Sequence, residues 1–404
     1  MKLKLVIIVG LVSMLLLGAS CTRSQDFDNQ VGSIVQPYRL SIAGWELKTL
    51  SSDIKGPSKS SNVEDESGIV IEYFSLAQRI RSLKSQIEVG SKGEGAPTTL
   101  KTELEELEAQ KTDLEGAVER IISKQITEIL AEQGIYNPID KYVGLKIDFP
   151  PIYFKLEEPP DVLVISPRDR IDRISDILLQ PNTSLQEEVD IEARVDKLGV
   201  SSLVVPLGGL ATYPSFVADD YGLKFAIDTV VHEWVHQYLT FEPLGFLYLL
   251  DATGISRNYE AATIDETVAD MVGQEISTMV YKKYYPELES NDAQTANPKL
   301  DLFNQQMREI RKMVDNYLAQ GQTDKAEQYM EAQRQYLASK GYYIRKLNQA
   351  YFAFYGTYAD SPTSISPIGS ELKELRNKSA SLKDFLATAS AITSRQALQT
   401  ALKN

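Results

Sequence analysis

Residues 226–239 read AIDTVVHEWVHQYL and contain both histidines of the 404-residue chain, His232 and His236, with Glu233 directly after the first. Two randomly placed histidines stand four apart about once in two hundred times, and an adjacent Glu makes coincidence roughly one in a few thousand. Residues four apart on an α-helix share a face about 6 Å apart along the axis, so both imidazoles can reach one metal ion. The same stretch has one continuous apolar face at helical spacing: Ile227, Val230, Val231, Trp234, Val235, Tyr238 and Leu239. The pattern predicts a helix that presents two metal ligands.

A catalytic zinc site usually has three protein ligands and one open position. No third histidine exists, and the single cysteine, Cys21, lies in the N-terminal segment, so the third ligand is expected to be a carboxylate. Glu266 and Asp270 lie one turn apart on a second predicted helix with an apolar side of Ile264, Val268, Val272, Ile276 and Met279. A solvated helix face is the alternative explanation of this acidic pair.

At these residues the chain resembles the gluzincins, the thermolysin-like metallopeptidases in which HExxH is followed on a later helix by a Glu ligand and, four residues on, by an Asp. The resemblance covers residues 226–276 and implies that Glu266 is the third zinc ligand and that Asp270 orients a ligand histidine. The interval between His236 and Glu266 is longer than in thermolysin. A fainter resemblance to predicted bacterial aminopeptidases extends through Asp228-Thr229, Leu347-Asn348-Gln349-Ala350 and Tyr358.

Two other carboxylates compete for the third ligand position. Glu242 stands six residues after His236, where metzincins carry theirs, but Leu239 replaces the glycine at which that chain turns. Glu260 is the second competitor.

Site chemistry assigns the remaining roles. Glu233 is expected to act as general base toward a zinc-activated water and then to pass the proton to the leaving amine. A tyrosine would replace the missing histidine as donor to the oxyanion. Tyr358 is our choice from an aromatic segment that also holds Tyr351 and Tyr355, although these aromatics are also explained as core.

The N-terminus has the pattern of an export signal. Lys2 and Lys4 precede an apolar run over residues 5–17, and small residues then lead to Cys21. This arrangement resembles the lipobox of bacterial lipoproteins, which implies lipidation of Cys21 and anchoring to the outer face of a bacterial membrane. A plain cleaved signal or an uncleaved anchor is the alternative explanation of the same pattern. A formal charge of -14 argues against a nucleic-acid partner, because phosphates require clustered Lys and Arg.

Periodicity and turn residues divide the chain into four parts. They are a signal peptide (1–20), a tether with a short helix over 38–50 (21–68), a helical hairpin with helices over 69–87 and 98–133 (69–139), and a catalytic domain (140–404). In the last part, β-type runs at 161–166 and 202–207 flank a predicted helix over 171–198. Residues 203–217, around Gly208-Gly209, predict either an edge strand that pairs with a substrate backbone or a core hairpin.

We therefore expect an α+β fold of zincin-like type. The leading function is zinc-dependent hydrolysis of peptide or protein substrates outside the cytoplasm. One rival is a surface lipoprotein that binds zinc or peptide without catalysis. The other is a protein-interaction role through the helical hairpin.

Overall fold

The chain folds into a mostly helical α+β structure with two small sheets, as the sequence predicts for the fold class. The computed structural model describes residues 25–42, 44–45, 66–91, 98–138, 146–181, 183–289, 298–359 and 361–403. The predicted signal peptide, Cys21 and residues 43 and 46–50 of the helix expected over 38–50 lie outside these residues.

The helices, in chain order, are α1 (Gln25–Val35), α2 (Glu66–Ser91), α3 (Thr98–Glu132), α4 (Leu185–Asp196), α5 (Leu223–Leu239), α6 (Pro243–Ala252), α7 (Tyr259–Tyr284), α8 (Pro286–Glu289), α9 (Pro298–Ala319), α10 (Thr323–Ser339), α11 (Gln349–Tyr355), α12 (Ile368–Lys378), α13 (Leu382–Ala389) and α14 (Arg395–Ala401). The strands are β1 (Phe154–Lys155), β2 (Asp161–Pro167), β3 (Ser175–Leu179), β4 (Val200–Pro206), β5 (Gly209–Leu210) and β6 (Ser215–Val217).

The larger sheet has the order β3-β2-β4 and is antiparallel, with Val164 opposite Asp176 on one side and Leu203 on the other. Its side chains alternate between two cores, as the period of a strand requires. Leu163 and Ile165 pack against α1 and α4, whereas Val162 and Val164 pack against α11.

Two local predictions in this region are wrong. The stretch 171–198 is not one helix, because residues 175–179 form β3 and the helix begins only after Ser184. Ser184 and Glu187 form a capping box, and Pro181 lies just before it, so the boundary was visible in the sequence. Residues 25–35 are not a tether either: they form α1, whose Val31, Ile34 and Val35 are buried against the sheet.

The long helices α2 and α3 pair as the predicted hairpin, and Leu76, Ile80, Leu83 and Leu107 form the apolar contact at one end. At the other end Tyr73 and Val118 belong to the main core together with residues of α5 and α7. The hairpin is therefore continuous with the part of the molecule that holds the candidate site. No helix among the described residues is long and apolar enough to cross a membrane.

Helices α5 and α7 pack closely against each other. Gly273 of α7 makes this approach possible, since a Cβ there would stand 2.8 Å from Asp228 Oδ1 and 3.2 Å from its carbonyl oxygen. The close packing brings two distant segments of sequence to one place.

The smaller sheet has the order β1-β6-β5, so β5 is an edge strand. Gly209 and Leu210 of β5 pair antiparallel with Val217 and Phe216. No other strand in the described ranges pairs with the outer side of β5. β5 therefore leaves its outer backbone edge open to a further strand within the described part of the chain, and β5 itself lies beside α5.

Candidate metal centre

Helix α5 fixes the two histidines through its buried side. Val231 and Val235 are fully buried, and the indole Nε1 of Trp234 donates to Pro150 O at 2.7 Å. His232 and His236 point the other way, with 14 % and 5 % of their side-chain surface accessible. The helix is thus locked in rotation, and both imidazoles face the same recess.

Helix α7 brings Glu266 to the histidines. Glu266 Oε2 lies 3.4 Å from His232 Nε2 and 3.5 Å from His236 Nε2, and the two Nε2 atoms are 3.0 Å apart. The three side chains form a group that could hold a metal ion. Glu266 Oε2 is buried and has no hydrogen-bond donor among the described residues. This state is unfavourable for a carboxylate oxygen, and a bound cation would relieve it.

A second layer of carboxylates orients both imidazoles. His232 Nδ1 lies 2.9 Å from Asp270 Oδ1, and His236 Nδ1 lies 2.6 Å from Asp265 Oδ1. A proton on each Nδ1 bonds to a carboxylate and leaves the Nε2 lone pair available to a metal ion. Asp270 takes the position that the resemblance implied. Asp265 was missed, because its only signal was adjacency to Glu266.

The surrounding charges favour a cation at this point. Burial lowers the pKa of His236, but Glu266 and Asp265 raise it more strongly, to about 10. Burial likewise raises the pKa of Glu266, but the adjacent His236 and His232 hold it well below its usual range. The recess is therefore built to stabilise positive charge beside an ionised Glu266.

Tyr248 of α6 completes the support of the ligands. Its hydroxyl donates to Glu266 Oε1 at 2.8 Å, and its ring stacks on His236 with 4.7 Å between centroids and 9° between planes. The sequence did not single out Tyr248, since it lies in an apolar helix with no feature that separates it from core aromatics.

The competing carboxylates lie elsewhere. Glu242 is buried at the N-terminal end of α6, and Glu260 Oε2 accepts the backbone N–H of Arg395 at 3.1 Å. Among the described residues, the group His232, His236 and Glu266 is the one whose ligand atoms converge. Glu266, the carboxylate chosen from the sequence, is the one that the packing brings to the histidines.

Glu233 lies buried beside the group, next to the edge strand β5. A Cβ on Gly209 would stand 2.5 Å from Glu233 Oε1 and 2.5 Å from Thr229 Cγ2, so the backbone of β5 touches the carboxylate. Burial raises the pKa of Glu233, and the neighbouring His232 and His236 lower it. The carboxylate is thus positioned between the two histidines and a free strand edge.

Tyr358 also borders the site. Burial raises its pKa well above the usual value, and Glu266 and Asp270 raise it further. Its hydroxyl forms no hydrogen bond with the described part of the chain. Tyr351 and Tyr355, the other tyrosines of the segment, pack instead against the larger sheet.

The site therefore combines three converging atoms that could bind a metal ion and a buried carboxylate that is not among them. It also has a tyrosine hydroxyl and a strand edge for which the described residues provide no partner. This set can hold a metal ion, move a proton and donate a hydrogen bond beside it. Comparison of the chain with protein-family models, curated proteins and solved structures returned no match.

Proposed function

We propose that the protein is a zinc-dependent peptidase of gluzincin-like, zincin type. The observation that carries the proposal is the convergence of His232 Nε2, His236 Nε2 and Glu266 Oε2 within 3.5 Å of one another. Both histidines lie on one helix around Glu233, and the third donor comes from a later helix with Asp270 one turn on. The gluzincin resemblance implies this arrangement of elements.

The donor set and its spacing fit zinc. Ligands about 2.05 Å from a tetrahedral ion stand about 3.3 Å from each other. The three donor pairs here are 3.0, 3.4 and 3.5 Å apart. Two imidazoles and one carboxylate, with a fourth position open, are the ligands of catalytic rather than structural zinc sites.

The chain's own residues would then divide the chemistry of hydrolysis. A bound zinc ion would supply Lewis acidity toward a water and a carbonyl oxygen. Glu233 accepts the proton of the attacking water and delivers it to the leaving amine. Tyr358, whose hydroxyl has no acceptor among the described residues, donates to the oxyanion that develops on the carbonyl oxygen. Asp265 and Asp270 keep the imidazoles in one tautomer.

The free edge of β5 favours an extended peptide as substrate. An extended chain adds to an exposed edge through backbone hydrogen bonds, and Gly209 sets that edge against Glu233. A peptide bound there would pass its carbonyl groups directly over the proposed base. An edge-bound backbone is also sequence-tolerant, because the hydrogen bonds involve no side chain.

We also propose that the protein is exported and anchored through a lipid on Cys21. The support is the N-terminal pattern of Lys2, Lys4, an apolar run and small residues before the cysteine. Mass spectrometry of the mature N-terminus should find an acylated cysteine. An unmodified N-terminus at another residue would contradict the anchor.

The proposed reaction is tested by Glu233→Gln, which keeps the size of the side chain and removes the base. Zinc content and thermal stability should hold, because Glu233 is not among the converging ligands. Hydrolysis of a peptide that the wild type cleaves should fall by about 10² to 10⁴, the usual contribution of a general base.

Unchanged turnover in this variant would refute the role of Glu233. Failure of the zinc-loaded wild type to cleave any member of a broad peptide library would favour a protein that binds zinc or peptide without catalysis.

A further inference from the structure

Arg173 lies in the segment that leads into β3, at the rim of the candidate centre. Its Nε donates to Asp176 Oδ2 at 2.8 Å, which fixes one edge of the guanidinium. Asp176 Oδ2 also lies 3.7 Å from Arg257 Nη1, and that same nitrogen lies 3.6 Å from Asp251. The orientation of Arg173 is therefore set by a small charged network on one side only.

The terminal nitrogens, on the other side of the guanidinium, are available to a ligand. The terminal nitrogens Nη1 and Nη2 donate to no acceptor in the described ranges, and 28 % of the side-chain surface stays accessible. A recessed cation with two idle donors is costly unless a partner arrives, since burial opposes its charge. Arg257 already faces Asp176, so the carboxylate does not require Arg173 for neutralisation.

Two ring contacts connect Arg173 with the candidate site. The guanidinium lies over the ring of Phe354 at 5.6 Å, and that ring is 6.3 Å from the ring of Tyr358. Burial lowers the pKa of Arg173, but Asp176, with smaller contributions from Tyr248 and Glu266, keeps it above its ordinary range. Arg173 therefore interacts electrostatically with Glu266, the proposed metal ligand, and with Tyr248 and Tyr358.

We propose that Nη1 and Nη2 of Arg173 bind a carboxylate of the substrate peptide. The two parallel N–H groups of a guanidinium match the two oxygens of a carboxylate, and they are the pair left free here. The carboxylate is either the free C-terminus of the peptide or an Asp or Glu side chain near the scissile bond. The assignment rests on the proposed peptidase function, and it makes Arg173 a residue that determines specificity.

The test uses three peptides. Two share one sequence and end in a free carboxylate or an amide, and the third is the amide with one residue beside the scissile bond replaced by Glu. The wild type should favour one or both carboxylate peptides by about 10- to 100-fold in kcat/KM, mainly through KM, as expected for a charge-assisted bidentate pair. Arg173→Met should lower kcat/KM for the carboxylate peptides to the value for the amide peptide. Arg173→Lys, which keeps the charge but loses the fork, should retain only part of the preference.

Arg170→Met is the matched control, because Arg170 lies on the same segment and its side chain pairs, within the described ranges, with Asp169 and Asp172. It should keep the full preference. Equal kcat/KM for the three peptides in the wild type would overturn the proposal. An equal loss of kcat for every peptide in Arg173→Met would also overturn it, since Arg173 would then act on the oxyanion.

Binding separates this proposal from the peptidase function. Fluorescence anisotropy with zinc-loaded Glu233→Gln should show tighter binding of the carboxylate peptides, and adding Arg173→Met should abolish the difference. If binding depends on Arg173 but the wild type hydrolyses no peptide, the peptidase function is refuted and carboxylate recognition is supported. Hydrolysis of all three peptides at equal kcat/KM would support the peptidase function and refute carboxylate recognition by Arg173.

Discussion

Gly209→Ala should disable the proposed base without removing the metal. The new Cβ would stand 2.5 Å from Glu233 Oε1 and 2.5 Å from Thr229 Cγ2, whereas ordinary contact begins at 3.4 Å. Thr229 belongs to the packed helix α5, so the carboxylate or the strand must move by about 0.9 Å. A displacement of about 1 Å at a reacting group costs about 10²-fold in rate, or about 2.7 kcal/mol of activation free energy.

The assay is kcat and kcat/KM on one cleaved peptide, together with zinc content. Zinc content should equal that of the wild type, because Glu233 is not among the converging ligands. Gly208→Ala is the matched control on the adjacent residue: its Cβ would meet Phe225 Cζ at 2.8 Å, the far end of a partly exposed ring that can turn away. This variant should lose far less activity. Wild-type turnover in Gly209→Ala would refute the contact between β5 and the base.

Three further predictions concern the ligands and the stability of the fold. Glu266→Ala should lose bound zinc and Glu242→Ala should retain it, as measured by elemental analysis; the opposite result would replace the gluzincin assignment by a metzincin-like one. Asp265→Asn and Asp270→Asn should each weaken zinc binding by about 10- to 100-fold in a chelator competition, and unchanged affinity would mean that neither orients a histidine. Burial raises the pKa of Glu119 from 4.5 to about 7, so ionisation opposes folding. The free energy of unfolding of the wild type, relative to Glu119→Gln, should therefore fall by about 3 kcal/mol as the pH rises from about 4 to 8. Urea denaturation across this range measures the difference, and a constant difference would contradict it.

The sequence patterns that depend on a single helix or strand predicted several elements correctly. The i, i+4 spacing of His232 and His236 predicts one shared helix face, and α5 provides it. The apolar periodicity of the hairpin and the β-type runs of β2 and β4 also predicted their elements. The failures at 171–184 and 25–35 came from stretches whose apolar residues pack against the larger sheet, which helical periodicity does not reveal.

The sequence alone therefore predicted the helix that carries both histidines, the face that they share and the expectation that a carboxylate completes the group. Only the tertiary structure decided that Glu266 meets the histidines, that Asp265 and Tyr248 support them, and that Glu242 does not. It alone also set Gly209 against Glu233 and left the terminal nitrogens of Arg173 without an acceptor among the described residues. The reason is that helix periodicity is a property of neighbours a few residues apart. Contacts between residues tens of positions apart depend instead on how whole helix and sheet surfaces pack together.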